Sequence, residues 1–183
     1  MKKRILRVAV KYVMLGAALA IVNAAMAQSS TKEKRLVDDS QEAKADFIAT
    51  DGLMENLFSK AYGYVIFPNV GKGGIGIGGA AGNGIVFEGG SVIGKAKMTQ
   101  VSIGFQFGGQ AYREVIFFET KADLDRFKED KFEFSAQASA VAATKGASAN
   151  VKYSEGVMIF TQQKGGLMYE ASVGGQKFDY SGF

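Results

Sequence analysis

The central part of the chain, residues 63–84, reads GYVIFPNVGKGGIGIGGAAGNG. It opens with the continuous apolar run 64–67, which is typical of a strand covered on both faces. From Ile75 onward, glycine alternates with aliphatic residues, whereas a disordered linker would carry mainly Ser, Pro and charge. The segment therefore predicts folded, glycine-rich β-structure.

Strand patterns continue towards the C-terminus. Residues 101–107 alternate apolar and polar or glycine positions with a period of two, and 115–118 is another continuous apolar run. The other segments with strand character are 85–87, 132–140, 157–161 and 167–173, and 142–150 is predicted to be a loop.

Helical patterns lie mainly on the N-terminal side. Residues 31–49 carry an apolar stripe at helical spacing, Asp51-Gly52 interrupts it, and 53–61 forms a second short helix. Thr120–Asp123 fits a capping box that starts one short central helix. We expect an α+β fold: a glycine-rich, mainly antiparallel, strongly curved or barrel-like β-sheet with two N-terminal helices and one short central helix.

The alternating glycines need a physical reason, because each costs about 0.5–1 kcal/mol relative to alanine in a strand. A face without side chains permits close approach of an aromatic ring, another backbone or a ligand. With 14 Phe and 7 Tyr in the chain, rings packed over glycine are the favoured interpretation, and a ligand groove is the alternative.

A weak internal similarity relates residues 63–75 to residues 156–167. Both segments contain Gly, Ile-Phe, Lys-Gly-Gly and an aliphatic residue in the same order. Two pseudo-equivalent hairpins in one sheet would explain this, and so would two independently similar turns.

Residues 1–27 have the pattern of a secretory signal peptide. Basic residues precede the short apolar run 13–22, and Ala25-Met26-Ala27 matches a cleavage site. We expect residues 28–183 to form a single exported domain, periplasmic, peripheral on a membrane, or secreted. The signal contains 5 of the 22 basic residues and none of the 18 acidic ones. The remaining chain is therefore almost neutral, and nucleic acid is not an expected partner.

Composition argues against most enzyme classes. The chain has no His and no Cys, which removes the usual proton carrier, thiolate nucleophiles and the commonest metal ligands. Only oxygen-ligand sites for hard cations remain conceivable. We expect no enzyme activity, no catalytic residue, no metal and no cofactor. A carboxylate-dependent hydrolase is a remote alternative that would use the acid pairs Asp38/Asp39, Asp123/Asp125 or Glu129/Asp130.

Two segments match the sequence patterns of nucleotide-binding motifs but lack the structural context that these motifs require. Residues 71–76 satisfy G-x-G-x-x-G, but the following glycines prevent the helix that a dinucleotide fold requires. Residues 89–95 satisfy G-x-x-x-x-G-K, but Ala96 stands where a phosphate loop needs Ser or Thr. Both matches are interpreted as chance in a glycine-rich chain.

The block from Gly63 to Gly74, an apolar strand followed by Pro-x-Val-x-Lys-Gly-Gly, resembles the SYLF domain family. The similarity extends over roughly residues 35–180 and includes the segments 75–84, 101–110, 115–118, 131–136 and 157–166. The resemblance implies a lipid-binding module without catalysis. Eukaryotic members favour phosphoinositides, often through an amphipathic N-terminal helix, and a yeast branch binds actin. Bacterial relatives are short exported proteins, so actin is expected as a partner only for a protein delivered into a host.

The N-terminal helix departs from the pattern of a membrane-binding helix. Residues 31–49 contain four basic and five acidic side chains, whereas a helix drawn to anionic membranes has a strongly basic polar face. Its apolar stripe could contact a membrane or pack on the sheet, and the balanced charge favours packing.

The candidate headgroup-binding residues are basic side chains, some of them beside glycines whose backbone N–H groups can face an anion. Seven are predicted: Lys72, Lys164, Lys95, Lys97, Lys32, Lys34 and Arg35. The glycines of the two Lys-Gly-Gly turns are Gly71, Gly73, Gly74, Gly165 and Gly166. For both turn lysines the alternative is a solvated position without a ligand.

The predicted function is non-enzymatic binding of anionic phospholipids, or of another amphiphile, at the surface of a bacterial envelope membrane. The alternative is a structural or self-associating protein of the periplasm or cell surface, for which a homo-oligomer is expected.

Overall fold

The computed structural model of the chain describes residues 28–75, 77–103, 110–129, 133, 139–164 and 170–183. Residues 38–183 form one compact unit. Of the preceding unit, residues 28–37 are described, and they are helical.

The described residues contain three α-helices, eight strands and one 3-10 turn. The helices are α1 (28–50), α2 (Met54–Lys60) and α3 (Lys121–Lys128), and the 3-10 turn is Ala147–Asn150. The strands are β1 (Gly63–Ile75), β2 (Ile77–Glu88), β3 (Ser91–Ile103), β4 (Gln110–Phe118), β5 (Ser139–Ala142), β6 (Val157–Gln163), β7 (Glu170–Ser172) and β8 (Gln176–Gly182).

All eight strands belong to one sheet with the order β7-β5-β6-β4-β1-β2-β3-β8. The ladders are antiparallel except for β5 with β6. Among the described residues no ladder joins β7 to β8, so the sheet is open, and the expectation of a barrel-like sheet is wrong. The α+β class is confirmed, with a parallel pair in a mostly antiparallel sheet.

The sheet is nevertheless strongly curved. In a flat sheet β4 and β8 would lie about 19 Å apart, because four inter-strand spacings of roughly 4.8 Å separate them. Gln176 of β8 donates a hydrogen bond to Glu114 of β4 over 3.0 Å. The sheet must therefore curl until these strands face each other across its interior, and we call this concave side the inner face.

Aromatic side chains cover both faces of the central strands. On the inner face Phe118 packs against Phe127 of α3, with ring centroids 5.0 Å apart. On the outer face Phe58 of α2 packs edge-on against Phe117 and Tyr64 at 4.9 and 5.1 Å. Because neighbouring residues of one strand point to opposite faces, both faces must be apolar here. This explains the continuous runs 64–67 and 115–118.

Pro68 lies in the central strand β1, although proline cannot donate a ladder hydrogen bond. β1 accommodates it with a bulge, since the register shifts against β2 between Ile66 and Asn69, and against β4 between Phe67 and Val70. A bulge bends its strand and increases the local twist. Pro68 therefore contributes to the curvature of the sheet.

The second half of α1 packs on the outer face of the sheet. Ala43 and Phe47 are buried, and Lys44 Nζ lies over the Phe58 ring at 5.0 Å while donating to the Tyr64 hydroxyl over 3.1 Å. Asp46 forms an ion pair with Arg113 of β4 at 2.5 Å. For residues 38–50, packing on the sheet is thus the role of the apolar stripe.

Two glycines of the sheet lie directly beneath aromatic rings. A Cβ at Gly84 would come within 2.7 Å of the Phe67 ring, and one at Gly94 within 2.7 Å of the Tyr180 ring. Contacts this short do not occur in real structures, so no side chain fits at either position. Rings do pack over glycine at these two positions, and for the strictly alternating glycines of 74–78 and 101–108 the interpretation stays a prediction.

The described parts of the two similar segments, β1 (63–75) and β6 (157–163), lie on either side of β4. Ile116 pairs with Val65 of β1 and with Ile159 of β6, whereas the sequence match aligns Val65 with Met158. This offset of one residue turns matching positions to opposite faces. Independent similarity is therefore the better explanation than pseudo-equivalent hairpins.

The helix predictions agree with the structure. Both N-terminal helices and the central helix are present, and Thr120 and Asp123 form the reciprocal capping box. The predicted loop 142–150 contains the 3-10 turn at its end. Most of the predicted strand 132–140, and parts of those at 101–107 and 167–173, lie outside the described residues.

Asp51 connects the α1–α2 elbow to the 3-10 turn. Its carboxylate accepts hydrogen bonds from the Ser148 amide at 2.9 Å, the Ser148 hydroxyl at 2.7 Å and the Leu53 amide at 3.2 Å. Burial alone would raise the pKa of Asp51, but these hydrogen bonds outweigh it and hold the pKa below its usual value of 3.8.

We expect Asp51→Asn to lower the free energy of unfolding at neutral pH by about 1–3 kcal/mol, because a neutral amide cannot accept all three hydrogen bonds. The wild-type advantage should shrink as the pH falls through the lowered pKa, since protonation removes the same acceptor. Urea unfolding at several pH values measures this. Asp39→Asn, at an exposed position of α1, is the matched control, and an equal loss in both variants would contradict the assignment.

We expect Gly84→Ala to destabilise the fold by roughly 2 kcal/mol or more, because the new methyl group meets the Ile66 carbonyl at 2.6 Å and the Phe67 ring at 2.7 Å. Gly71→Ala is the matched control in the same sheet, since nothing lies within 4 Å of its Cβ position. It should be neutral or stabilise by about 0.5–1 kcal/mol. Thermal or urea unfolding separates the two variants, and an equal effect would show that ring packing does not determine where glycine is needed.

Candidate functional site

Lys72 and Lys164 lie at the same end of the sheet, on either side of β4. Lys72 of β1 pairs with Gln110 at the start of β4. The backbone amide of Lys164 donates to the Ala111 carbonyl over 3.0 Å. The structure thus brings the backbones of the two predicted lysines close together.

Their side chains point to opposite faces of the sheet. Lys72 stands opposite Ala80, which belongs to the inner-face core, and directly opposed residues of an antiparallel pair share a face. Lys164 Nζ instead donates to the side-chain oxygen of Asn69, an exposed residue next to the inward-facing Val70. The two ammonium groups therefore do not converge on one headgroup.

The predicted glycine-rich turn is only partly described. Gly71, Gly73 and Gly74 lie inside strand β1, so the label of a turn is wrong for these three. Their amides belong to a strand paired with β2. Gly165 and Gly166 lie outside the described residues.

A more continuous surface lies on the outer face of β3. Lys95, Lys97, Thr99 and Val101 alternate with the inward-facing Ala96, Met98 and Gln100, and we call these four residues the β3 outer row. Val101 is 73% exposed, which is unusual for a valine in a strand.

The C-terminal residue adds an aromatic ring to the β3 outer row. Phe183 is 63% exposed, its amide donates to the Ile93 carbonyl over 3.3 Å, and Lys95 Nζ lies 6.0 Å from its ring centroid. Lys97 stands opposite Asp179 of β8, and Lys177 of β8 stands opposite Thr99. Glu133 forms an ion pair with Lys177 at 3.5 Å. The surface therefore combines several basic groups, two acids and two exposed apolar side chains.

The remaining basic residues lie in α1. Lys32, Lys34 and Arg35 are exposed in the part of α1 that precedes the compact unit. Their role in headgroup binding stays a prediction.

The inner face contains a buried carboxyl group that sequence reasoning missed. Glu114 is fully buried, and burial raises its pKa to about 7, with the Gln176 amide partly opposing the shift. Tyr112 of the same strand is also buried, and burial, followed by the nearby Glu114, raises its pKa. The signal was present in the alternation of β4, which turns residues 112, 114, 116 and 118 inward.

The acid pairs of the hydrolase alternative lie on helix surfaces where the structure describes them, and Asp130 lies outside the described residues. Asp123 caps α3 and pairs with Arg126 at 3.3 Å, and Asp125 pairs with Lys128 at 3.4 Å. Asp38 and Asp39 are exposed on α1. No cluster of three or more acidic side chains that could hold a metal occurs among the residues that the structure describes. Within the same residues, no helix is long and apolar enough to span a bilayer.

Comparisons with known proteins point to one family. The family model Ysc84, described as "Las17-binding protein actin regulator", matches residues 99–180. Beta cell expansion factor A of Aeromonas veronii is 31% identical over 125 residues, which cover 67% of this chain and 47% of the relative. The chain thus spans about half the length of the curated relative it matches. The resemblance inferred from the Lys-Gly-Gly block is confirmed, and the chain belongs to the SYLF family, to which the Ysc84 model corresponds.

Proposed function

We propose that this protein binds anionic lipid surfaces through the β3 outer row, without chemical turnover. The observation that carries the proposal is the combination of exposed Val101 and Phe183 with Lys95 and Lys97 on one open sheet surface. Lysines attract an anionic surface, and exposed apolar side chains gain free energy by entering its interfacial region.

The magnitudes indicate weak, reversible binding. Each basic residue near an anionic membrane contributes about 1 kcal/mol, and burial of a valine side chain adds roughly 1.5 kcal/mol. Asp179, opposite Lys97, offsets part of the attraction. A few such groups support adsorption to a bilayer rather than permanent insertion.

Family membership supports binding of lipid or actin at the level of the whole family. For this chain we favour lipid, because the predicted signal peptide directs it out of the cytoplasm, where it would meet an envelope membrane. Actin would become a partner only after delivery into a host cell. The lack of His and Cys supports a binding role without catalysis.

We expect Lys97→Ala combined with Val101→Ser to weaken sedimentation with phosphatidylglycerol or cardiolipin vesicles by about tenfold in Kd, since the pair contributes roughly 1–2 kcal/mol. The matched control is Lys60→Ala with Leu53→Ser, which removes the same charge from α2 and an exposed apolar side chain from the residue just before it. Lys72→Ala with Lys164→Ala should leave binding unchanged, because those side chains lie on opposite faces. Equal loss in all three double variants would remove the β3 outer row as the site.

We also expect the binding to depend on salt and lipid charge. Neutral phosphatidylcholine vesicles should sediment little protein, and raising the salt to about 0.5 M should release most of it from anionic vesicles, because screening then acts over a few ångströms. Binding that persists at high salt would indicate an apolar groove instead. No binding to any vesicle, together with a discrete oligomer in sedimentation velocity, would favour the self-associating alternative, and co-sedimentation with actin filaments would favour the actin branch.

A further inference from the structure

Glu114 of β4 and Gln176 of β8 meet inside the curved sheet. Both side chains are fully buried, and Gln176 Nε2 donates to Glu114 Oε2 over 3.0 Å. Their two other oxygens, Glu114 Oε1 and Gln176 Oε1, have no hydrogen-bond partner among the described residues. Two adjacent groups thus each keep one buried acceptor that needs a donor.

One proton satisfies both acceptors. A protonated carboxyl group carries an O–H donor beside its carbonyl oxygen, and a primary amide carries an N–H donor beside its own oxygen. Placed side by side, the acid and the amide can exchange two hydrogen bonds, with Glu114 Oε1–H donating to Gln176 Oε1. The ionised carboxylate makes only the first bond and leaves a charge in an apolar interior.

We propose that Glu114 and Gln176 form a proton-dependent latch that holds the C-terminal strand β8 against the inner face of the sheet. With the proton bound, two hydrogen bonds join β4 to β8 across the interior. Without it, one bond remains, and the buried charge favours opening.

β8 is the element that opening would release. It is the last strand along the chain; among the described residues it has a ladder to β3 on one side, and on the other a bridge and a 3.5 Å ion pair between Lys177 and Glu133. Its main apolar anchor is Phe178, whose ring lies 5.8 Å from that of Phe67 and 5.2 Å from that of Phe127. Detachment of β8 would break the β3 ladder and withdraw Phe178 from both rings.

Glu114 dominates the titration of the interior near neutral pH. Of the titratable groups, Tyr112 of β4 interacts with both Glu114 and Gln176, and Lys72 lies further along the inner face of β1, opposite Gln110. The other buried inner-face residues that the structure describes are uncharged: Ala96, Met98 and Gln100 of β3, Leu124 and Phe127 of α3, Ile159 and Thr161 of β6, and Phe178 of β8. A charged pair, Glu88 of β2 with Lys128 of α3, lies part-buried next to Tyr62. The raised pKa of Tyr112 keeps its phenol neutral throughout this range.

The direction of the pH effect follows from linkage. The folded state keeps its proton up to about pH 7, whereas exposed Glu114 would lose it near the usual 4.5. Opening should therefore increase about tenfold per pH unit between about 5 and 7 and level off above that. Stability is highest on the acidic side of this window, because the closed state binds the extra proton.

Hydrogen–deuterium exchange of the peptide containing residues 176–182, corrected for the intrinsic pH dependence of exchange, tests the proposal. In the wild-type protein the corrected opening constant should increase roughly 40-fold from about pH 5 to about pH 7. Glu114→Gln keeps the shape and can make both hydrogen bonds as an amide–amide pair, so its opening constant should stay flat and low. Glu88→Gln, at a part-buried position bonded to Tyr62 and Lys128, controls for the loss of one carboxylate and should behave like wild type.

Carboxyl ¹³C NMR gives an independent readout of the proton itself. A Glu114 signal titrating near pH 7, far above an ordinary glutamate, supports the latch. A midpoint near 4.5, or the same pH dependence of β8 exchange in the wild type and in Glu114→Gln, would overturn it. Vesicle binding is a separate measurement, so its failure would leave this result unaffected.

Discussion

The fold depends on the pairing of β1 with β4, the two central strands whose side chains are buried on both faces. Tyr64 pairs with Phe117 and points outward to α2, while Val65 pairs with Ile116 and points into the interior. Since burying one such side chain contributes about 1.5–3 kcal/mol, this double layer sets where every other element can pack. Residues 38–50 of α1, together with α2, cover one side of the pair, and α3 with the curled end of the sheet covers the other.

Curvature is the second requirement, and glycine makes it possible. The interior is too narrow for side chains on every strand, so Phe67 and Tyr180 lie over Gly84 and Gly94. The bulge at Pro68 adds twist in the middle of the sheet. Together these features bring β8 across to β4, which a flat sheet of the same strand order would keep far apart.

Much of the secondary structure could be predicted from local sequence patterns. Period two, continuous apolar runs and the Thr120–Asp123 capping box located the main strands and helices, because each depends on neighbouring residues. The Glu114–Gln176 contact joins residues 62 positions apart, and no local pattern encodes how far a sheet curls. The opposite directions of Lys72 and Lys164 were missed for a related reason. Similar sequence around each lysine suggested similar structural environments. The one-residue offset of the two strands against β4 instead turns the two side chains to opposite faces of the sheet.

Because residues 38–50 of α1 pack on the sheet, this half of the helix is limited in how it can act at a bilayer. Phe47 already lies in an apolar environment, so moving it into lipid exchanges one apolar medium for another and yields almost no hydrophobic free energy. The same move would break the Arg113–Asp46 ion pair and take Lys44 from the ring of Phe58. Residues 38–50 therefore have no thermodynamic reason to leave the protein for a membrane.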